Sequence, residues 1–206
     1  MRGYLVIKRG LDIVAGLMGL ILLSPLFAWI SWKIKRSDGG PVFFLGERVG
    51  LNGKPFRIYK FRTMVKNAGT QGPAITSSAD QRITPFGREL RKRKLDELPQ
   101  LINVLKGEMS LVGPRPEAPC YVKLYTPEQR VVLKMRPGIT GMASLQYHEE
   151  AELLETKMHQ GNLSLEEVYL GYIMPAKLAL ELEYYRKRSL LSDLKLIFQT
   201  LRALCA

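Results

Sequence analysis

The longest apolar run of the chain lies near its N-terminus. From Leu11 to Trp32 the sequence LDIVAGLMGLILLSPLFAWISW contains one charged residue, Asp12. At about 1.5 Å per residue a helix over this run reaches roughly 33 Å, enough to cross a bilayer core. It is longer than a signal-peptide core and lacks a small-residue cleavage site after it. The pattern therefore predicts a membrane helix, in which Asp12 needs a partner; Arg9, one turn earlier, is the expected one.

Two features of this run bear on its path through the membrane. Basic residues lie on both sides of it: Lys8, Arg9, Lys33, Lys35 and Arg36. They favour the cytoplasm for both ends. Ser24-Pro25 interrupts the helix, because proline removes the amide donor to the carbonyl of Ile21. The Ser24 hydroxyl or a neighbouring side chain is expected to replace that donor in part. From these residues alone, a spanning helix and a re-entrant helix are about equally supported.

The pattern after this run predicts a short hairpin and two helices. Val42–Phe44 and Phe56–Met64 flank the turn-forming pair Asn52-Gly53, as in a β-hairpin. Thr84-Pro85 combines a capping threonine with a first-turn proline, which is typical of a helix start. A second helix is expected to begin at Asp96 and to stop near Gly107.

The C-terminal half is predicted to be helical. Residues 126–129, Thr-Pro-Glu-Gln, fit a capping box that opens a helix to about Met135. Helices are expected over 175–188 and 189–204, and the last is amphipathic. The fold class is therefore α+β and mostly helical, with a membrane anchor over residues 1–36 and a small globular domain with interfacial amphipathic helices over residues 37–206.

The net charge of the chain limits the classes of molecule that it is expected to bind. The chain has 206 residues, with 31 Lys+Arg against 19 Asp+Glu, for a formal net charge of +12. This balance indicates a polyanionic partner: nucleic acid, an anionic membrane surface or a phosphorylated substrate. The two cysteines give neither a disulfide framework nor metal-ligand spacing, and the sequence contains no P-loop or dinucleotide-binding fingerprint.

Two adjacent carboxylates are the first candidate chemistry. Asp96 and Glu97 stand in the segment LDELP after a basic stretch at 91–94. Such a pair can hold a hard cation such as Mg²⁺. At a helix N-terminus the dipole would keep Asp96 ionised and available as a nucleophile or ligand. Acidic residues in a first helical turn are also ordinary capping groups, so the pair alone does not decide between the two interpretations.

Three basic segments are candidates for anion binding. Lys60 and Arg62 would share one face of a strand. Arg115 lies between two prolines that stiffen its backbone, and its planar guanidinium suits phosphate. Arg136 opens the segment RPGITG, whose glycines would allow a ligand to approach the backbone closely. Each segment taken singly also fits a solvated strand or a rigid turn.

Taken in order, these motifs resemble a known family over almost the whole chain. They are KR-x-x-D at 8–12, Ser24-Pro25, KFRTM at 60–64, LDELPQL at 95–101, SLVGPRPE at 110–117 and RPGITG at 136–141. Together they resemble the bacterial sugar transferases of the small monotopic phosphoglycosyl transferase family. The resemblance implies transfer of a sugar phosphate from a UDP-sugar to polyprenyl (undecaprenyl) phosphate with release of UMP, as the first membrane step of a glycoconjugate pathway. It also favours a re-entrant anchor at the cytoplasmic face of the bacterial inner membrane.

The resemblance also implies roles for individual residues. Asp96 would be the nucleophile that forms a covalent phosphosugar intermediate, and Glu97 would hold Mg²⁺ as the cofactor. The implied phosphate contacts are Lys60, Arg62, Arg91, Arg115 and Arg136. The expected partners are a UDP-sugar, polyprenyl phosphate and the membrane, without nucleic acid; a homodimer is left open. The segment 146–177 departs from the family pattern and leaves the sugar open.

Two alternatives remain at this point. A basic membrane-anchored module that binds nucleic acid or anionic lipid would explain the charge. It would not explain the joint occurrence of the motifs, and RNA-binding signatures are missing from the sequence. A conventional glycosyltransferase would move the sugar without its phosphate and release UDP instead of UMP.

Overall fold

The N-terminal segment consists of two helices joined by a sharp bend. The computed structural model describes residues 2–68, 80–147, 150–161 and 163–205. Helix α1 runs over Arg2–Leu22 and helix α2 over Ser24–Asp38, with an angle of 61° between them. The Ser24 hydroxyl donates to the carbonyl of Ile21 at 2.8 Å. The predicted break at Ser24-Pro25 and its compensating hydrogen bond are confirmed.

Length and hydropathy alone do not make either of these helices a membrane span. Within the described ranges, each helix taken singly falls short of the length and apolar content needed, whereas the bent α1–α2 pair meets them together. One face of α1 is lined with exposed aliphatic side chains, including Val6, Ile7, Val14, Ile21 and Leu22. Such a face is typical of contact with lipid or with another apolar surface.

The other face of α1 packs on the globular part. Asp12 is buried and accepts hydrogen bonds from the Ser110 hydroxyl at 3.1 Å and from the Leu111 amide at 2.9 Å. Arg9 instead donates to the backbone carbonyls of Val104 and Leu105 at 2.7 and 3.1 Å. The expected Arg9–Asp12 pair is therefore wrong. Buried backbone and hydroxyl groups need partners of their own, and they take both side chains.

The predicted hairpin is confirmed, but its first strand is longer and its second strand is shorter than predicted. Strand β1, Phe43–Val49, pairs antiparallel with β2, Pro55–Phe61. The turn contains Asn52 with φ 56° and Gly53 with φ 77°, a left-handed conformation that these two residue types tolerate best.

The segment that carries the two carboxylates is a short turn between helices. Helix α3, Pro85–Lys92, begins as predicted, with the Thr84 hydroxyl accepting from the Gly87 amide at 2.9 Å. Leu95–Glu97 form one turn of 3₁₀ helix, and α4 covers Gln100–Lys106. The helix expected to begin at Asp96 therefore begins at Gln100 instead. Lys94 has φ 55°, a left-handed conformation that ends the preceding helix, and Pro99 has no amide hydrogen to donate in a helical turn.

Two glycine-containing motifs pair with one another. Strand β3, Ser110–Val112, lies parallel to β4, Gly138–Thr140. A Cβ atom at Gly113 would lie 2.3 Å from the carbonyl oxygen of Arg136, and one at Gly141 would lie 2.3 Å from that of Gly113. The glycines thus permit close approach between the two backbones, whereas the sequence suggested approach to a ligand.

Helices form the rest of the chain and most of its core. Thr126 and Gln129 form the predicted capping box, with bonds of 2.9 and 3.3 Å, although the helix it opens is 3₁₀. The remaining elements are α5 (Pro119–Val122), the 3₁₀ helix Gln129–Lys134, α6 (Met142–Gln146), α7 (Glu150–Gly161), α8 (Leu165–Val168), a π turn (Tyr169–Ile173), α9 (Met174–Lys187) and α10 (Leu190–Cys205). The segment 146–177 contributes buried residues to this core, including Leu154 and Val168. The α+β, mostly helical fold class is confirmed.

Candidate active site

The Glu97 carboxylate is held by two cations from distant parts of the chain. Lys60, on β2, donates to Oε1 at 2.7 Å. Arg115 donates to the same oxygen at 2.7 Å and to Oε2 at 3.3 Å. Burial raises the pKa of the Glu97 carboxyl, but Arg115 and Lys60 outweigh burial and hold it well below the usual range. Glu97 is therefore a permanently ionised group fixed between two motifs.

The neighbouring Asp96 is buried but not held in this way. It is 7% exposed, and within the described part of the chain no side-chain hydrogen bond or ion pair engages its carboxylate. The pKa of its carboxyl is raised overall, because burial raises it more than Lys60, Arg91 and Lys94 lower it, and Glu97 raises it further. Burial thus opposes the ionised form that the sequence led us to expect, while three cations offset part of this effect. Both carboxylate oxygens remain without a hydrogen-bond donor among the described residues, as a nucleophilic carboxylate requires.

Arg91 and Lys94 complete the positive surroundings of the pair. The Arg91 Nε atom donates to the Thr63 hydroxyl at 2.8 Å, which joins α3 to the KFRTM segment. Burial lowers the pKa of Arg91 and of Lys94, and Asp96 opposes the shift in both. Arg91 was predicted as a phosphate contact. Lys94 was not singled out, and its position two residues before Asp96 was the one available signal.

The structure does not bring Arg62 to the carboxylate pair. Strand β2 ends at Phe61, and both terminal nitrogens of Arg62 donate to Asp38 at the end of α2. This ion pair lowers the pKa of Asp38 to about 2. Arg62 therefore ties the second N-terminal helix to the hairpin and lies beyond the end of the strand that carries Lys60. Its contact with phosphate stays a prediction.

Arg136 is also separated from the carboxylate pair. Its Nε atom donates to the carbonyl of Gly107 at 3.1 Å, and its side chain lines a different cavity, next to α1. Of the five predicted phosphate contacts, the structure groups three around the carboxylates: Lys60, Arg91 and Arg115. Arg136 lies outside this group, and its contact with phosphate stays a prediction.

The residues present fit a magnesium ion that is shared with substrate. Glu97 Oε2 makes one contact of 3.3 Å, so lone pairs remain on it. Within the described residues, no group of three or more His, Cys, Asp or Glu side chains surrounds the pair. Mg²⁺ is commonly bound by one or two carboxylates together with water and substrate phosphates. Asp96 and Glu97 match that donor set.

One buried acid near the site was missed from the sequence. Glu181, on α9, is 3% exposed and lines a small cavity together with Arg115. Burial raises the pKa of its carboxyl to about 8, against smaller opposing effects from the amides of Ala143 and Arg115 and from Lys177. In the sequence LELEYY, no feature of the pattern distinguishes the buried Glu181 from its more exposed neighbour Glu183.

Similarity to known proteins extends over almost the whole chain. The family model for bacterial sugar transferases matches residues 3–206. The chain is 36% identical to a UDP-N-acetylgalactosamine-undecaprenyl-phosphate N-acetylgalactosaminephosphotransferase of Aeromonas hydrophila, over 98% of this chain and 44% of that protein. It is 34% identical to the exopolysaccharide production protein ExoY of Sinorhizobium fredii, over 96% and 85%.

A third relative also matches most of the chain. It is a UDP-glucose:undecaprenyl-phosphate glucose-1-phosphate transferase of Caulobacter vibrioides, 37% identical over 96% of this chain and 69% of that protein. The chain thus spans less than half of the Aeromonas relative and most of the other two. The family match over residues 3–206 shows that the chain belongs to the bacterial sugar transferase family.

Proposed function

We propose that this chain transfers a sugar phosphate from a UDP-sugar to undecaprenyl phosphate or a similar polyprenyl phosphate, with release of UMP. The reaction would be the first membrane step of a glycoconjugate pathway. The relatives named above support the two substrate classes. The observation that carries the proposal is the contrast within the carboxylate pair: Asp96 is buried among cations and unengaged, while Glu97 is fixed by Lys60 and Arg115.

The reaction proceeds in two displacements at phosphorus. An Asp96 carboxylate oxygen attacks the sugar-bearing phosphorus of the UDP-sugar, the P–O bond to the uridine phosphate breaks, and UMP leaves with that oxygen. A phosphate oxygen of the polyprenyl phosphate then attacks the same phosphorus. The bond to Asp96 breaks, the carboxylate is regenerated, and a polyprenyl diphosphate sugar is formed.

The basic residues serve positioning and charge neutralisation, which dominate catalysis of phosphoryl transfer. Lys60, Arg91 and Lys94 surround the attacking carboxylate and meet the negative charge of the diphosphate. Arg115 presents a planar donor fork beside Glu97. A bound Mg²⁺, held by Glu97 with Asp96 as neighbour, would supply further neutralisation of the diphosphate oxygens.

The bent α1–α2 pair supports a re-entrant anchor at the cytoplasmic face of the inner membrane. Basic residues flank both ends of the apolar run, and the 61° bend at Ser24-Pro25 is compatible with a chain that returns to the side from which it entered. A membrane surface is where a soluble nucleotide sugar and a lipid-borne phosphate can meet. The proposal thus includes a monotopic topology with the active site on the cytoplasmic side.

The identity of the released nucleotide tests the reaction. The purified chain is incubated with polyprenyl phosphate and one of several UDP-sugars, and the nucleotide product is separated by chromatography. UMP is expected; UDP would instead indicate a conventional glycosyltransferase and overturn the proposal.

A second measurement tests the covalent step. With UDP-sugar labelled in the sugar and no acceptor present, the protein should retain label at Asp96, and Asp96→Asn should retain none. Equal labelling of the two proteins would contradict the intermediate.

A further inference from the structure

The loop over residues 113–117 carries Arg115 and is held by its backbone at both ends. At its start, two hydrogen bonds of 2.9 Å join it to strand β4. At its end, the carbonyl of Glu117 accepts from the amide of Val49 at 3.0 Å. Between these bonds, Pro116 has no amide hydrogen to donate. The direction of the Arg115 side chain therefore depends on how firmly the two ends of the loop are fixed.

The side chain of Glu117 gives this loop a further connection. Its Oε1 atom accepts from the amide of Ala118 at 3.0 Å, and its Oε2 atom accepts from the hydroxyl of Tyr169. Tyr169 opens the π turn before α9 and follows Glu117 by 52 positions. Hydrogen bonds to a carboxylate contribute more than those between neutral groups. One tyrosine hydroxyl thus links the segment 146–177 to the loop that carries Arg115.

Tyr169 is held in place by contacts that do not involve the loop. It is 4% exposed, and the centroid of its ring lies 5.1 Å from that of Tyr121 on α5. The ammonium of Lys177 lies 5.4 Å from the same centroid, a cation–π arrangement. Lys177 in turn pairs with Glu150, at the start of α7, at 3.0 Å. The position of the Tyr169 hydroxyl is therefore set by the packing of the surrounding helices.

Arg115 and the two residues of this hydrogen bond lie close together. Arg115, Glu117 and Tyr169 line one small cavity of about 30 Å³. The pKa of the Arg115 guanidinium is raised by Glu97, which outweighs the effect of burial, and it is raised further by Glu150 and Glu117. Glu117 therefore acts on Arg115 both through the backbone of the loop and through its charge. A displacement of the Glu117 side chain would reach the guanidinium beside Glu97.

We propose that Tyr169 is a positioning residue for Arg115: its hydroxyl holds Glu117, and Glu117 fixes the loop so that the Arg115 guanidinium stays beside the carboxylate pair. The inference rests on the reaction proposed above, in which Arg115 meets the diphosphate of the substrate. Tyr169 acts through Arg115 and not on the reacting atoms. The segment 146–177, which departs from the family pattern, thereby contributes to phosphate recognition through a residue of another motif.

A double-mutant cycle tests the proposal. Tyr169→Phe removes the hydroxyl and keeps the ring that contacts Tyr121 and Lys177. Nucleotide release gives kcat/KM for the UDP-sugar in the wild type, Tyr169→Phe, Arg115→Lys and the double variant, and thermal unfolding is measured on the same preparations. Tyr169→Phe should lower kcat/KM by about 10-fold when Arg115 is present, and by less than about 2-fold when lysine replaces it. The matched control Tyr172→Phe removes an exposed hydroxyl from the same π turn and should leave kcat/KM unchanged.

Other outcomes would overturn the assignment. Equal losses from Tyr169→Phe in the two backgrounds would show that the hydroxyl does not act through Arg115. A lower Tm with unchanged kcat/KM would show that it only stabilises the fold. If Tyr169→Phe fails to fold, Glu117→Gln replaces it in the same cycle, because its amide has an oxygen at only one of the two positions that Glu117 uses; equal losses again overturn the proposal.

The cycle is separate from the test of the reaction itself. Release of UDP in place of UMP by the wild type would contradict the proposed phosphate transfer. The coupling between Tyr169 and Arg115 is measured from whichever nucleotide is released, so it decides the positioning role in either case.

Discussion

Arg115 binds both carboxylate oxygens of Glu97, at 2.7 and 3.3 Å, and so joins the GPRP loop to the turn that carries Asp96. The Glu97 side chain is 12% exposed and that of Arg115 is 35% exposed, so loss of either partner would leave a partly desolvated charge uncompensated. Glu97 thus fixes the turn while its Oε2 keeps lone pairs for a cation, and both oxygens of Asp96 are without a hydrogen-bond donor among the described residues. This division between adjacent acids leads to the first three predictions.

Asp96→Asn should abolish turnover without unfolding the protein, because an amide cannot supply the nucleophilic oxygen anion. UMP release and thermal unfolding are measured on the same preparation. The control is Glu183→Gln, an exposed acid on α9 that should leave turnover unchanged. Normal turnover in Asp96→Asn would exclude the covalent role.

Glu97→Gln should lower activity and raise the Mg²⁺ concentration needed for half-maximal rate. The amide offers a single neutral oxygen to a hard cation, and it leaves Lys60 and Arg115 without their counter-charge. The rate is measured as a function of Mg²⁺ concentration. Wild-type rate together with wild-type metal dependence would remove the metal assignment.

Arg115→Lys should be more damaging than retention of charge suggests. Lysine is a point donor and cannot reproduce the planar fork, so kcat/KM should fall by about 10- to 100-fold, corresponding to roughly 1–3 kcal/mol. The matched comparison is Lys60→Arg, which keeps a donor on Glu97. An unchanged kcat/KM in Arg115→Lys would mean that Arg115 supports the loop without contacting substrate.

Titration of the Glu181 carboxyl should make the free energy of unfolding fall as pH rises. Its pKa is raised by burial to about 8 in the folded chain, so the folded state holds this proton more tightly than the unfolded state. The resulting stability is fully present below about pH 4.3, the pKa of an unperturbed glutamate, and is lost as pH rises towards 8. Its total is on the order of 5 kcal/mol.

Glu181→Gln stays neutral at every pH and should flatten this dependence. Between pH 5 and 8, Tm of the wild type should therefore fall relative to that of Glu181→Gln. The exposed Glu183→Gln, two residues away, serves as the control and should follow the wild type. Parallel pH profiles for wild type and Glu181→Gln would contradict the prediction.

The bend at Ser24-Pro25 should determine the topology of the anchor. Replacing both residues with alanine or leucine would restore a straight helix, while the flanking basic residues still oppose translocation, so a mixed population with reduced activity is expected. A cysteine near residue 3, in a background without Cys120 and Cys205, is probed in intact cells with a membrane-impermeant thiol reagent. Labelling of the protein that retains Ser24-Pro25 would contradict the re-entrant path.

Signals from residues close in sequence predicted the secondary-structure elements, but they did not predict how the site residues come together. The bend, the hairpin turn, the Thr84 cap and the Thr126 capping box each depend on residues close in sequence, where the physical rule is the same in any fold. The grouping of Lys60, Glu97 and Arg115 was implied by family resemblance and was not derivable from spacing, because these residues are 37 and 18 positions apart.

The pairings that were not predicted join distant parts of the chain. Arg9 was expected on Asp12, but carbonyls at the end of α4 and donors in β3 contact the two side chains instead. Arg62 pairs with Asp38, 24 positions earlier, and Arg136 donates to the carbonyl of Gly107, 29 positions earlier. The location of such partners is set by tertiary packing, whereas the later start of the helix expected at Asp96 is a local effect of Lys94 and Pro99.

The two hydrogen bonds that Asp12 accepts from Ser110 and Leu111 connect the position of helix α1 to the active-site loop. Leu111 precedes Arg115 by four residues, and Arg115 holds Glu97 beside the nucleophile. Sliding α1 along its axis by one turn, about 5.4 Å, would break both bonds and release the loop that Arg115 occupies. In the proposed membrane-anchored arrangement, bilayer thickness and composition would therefore affect the geometry of the carboxylate pair.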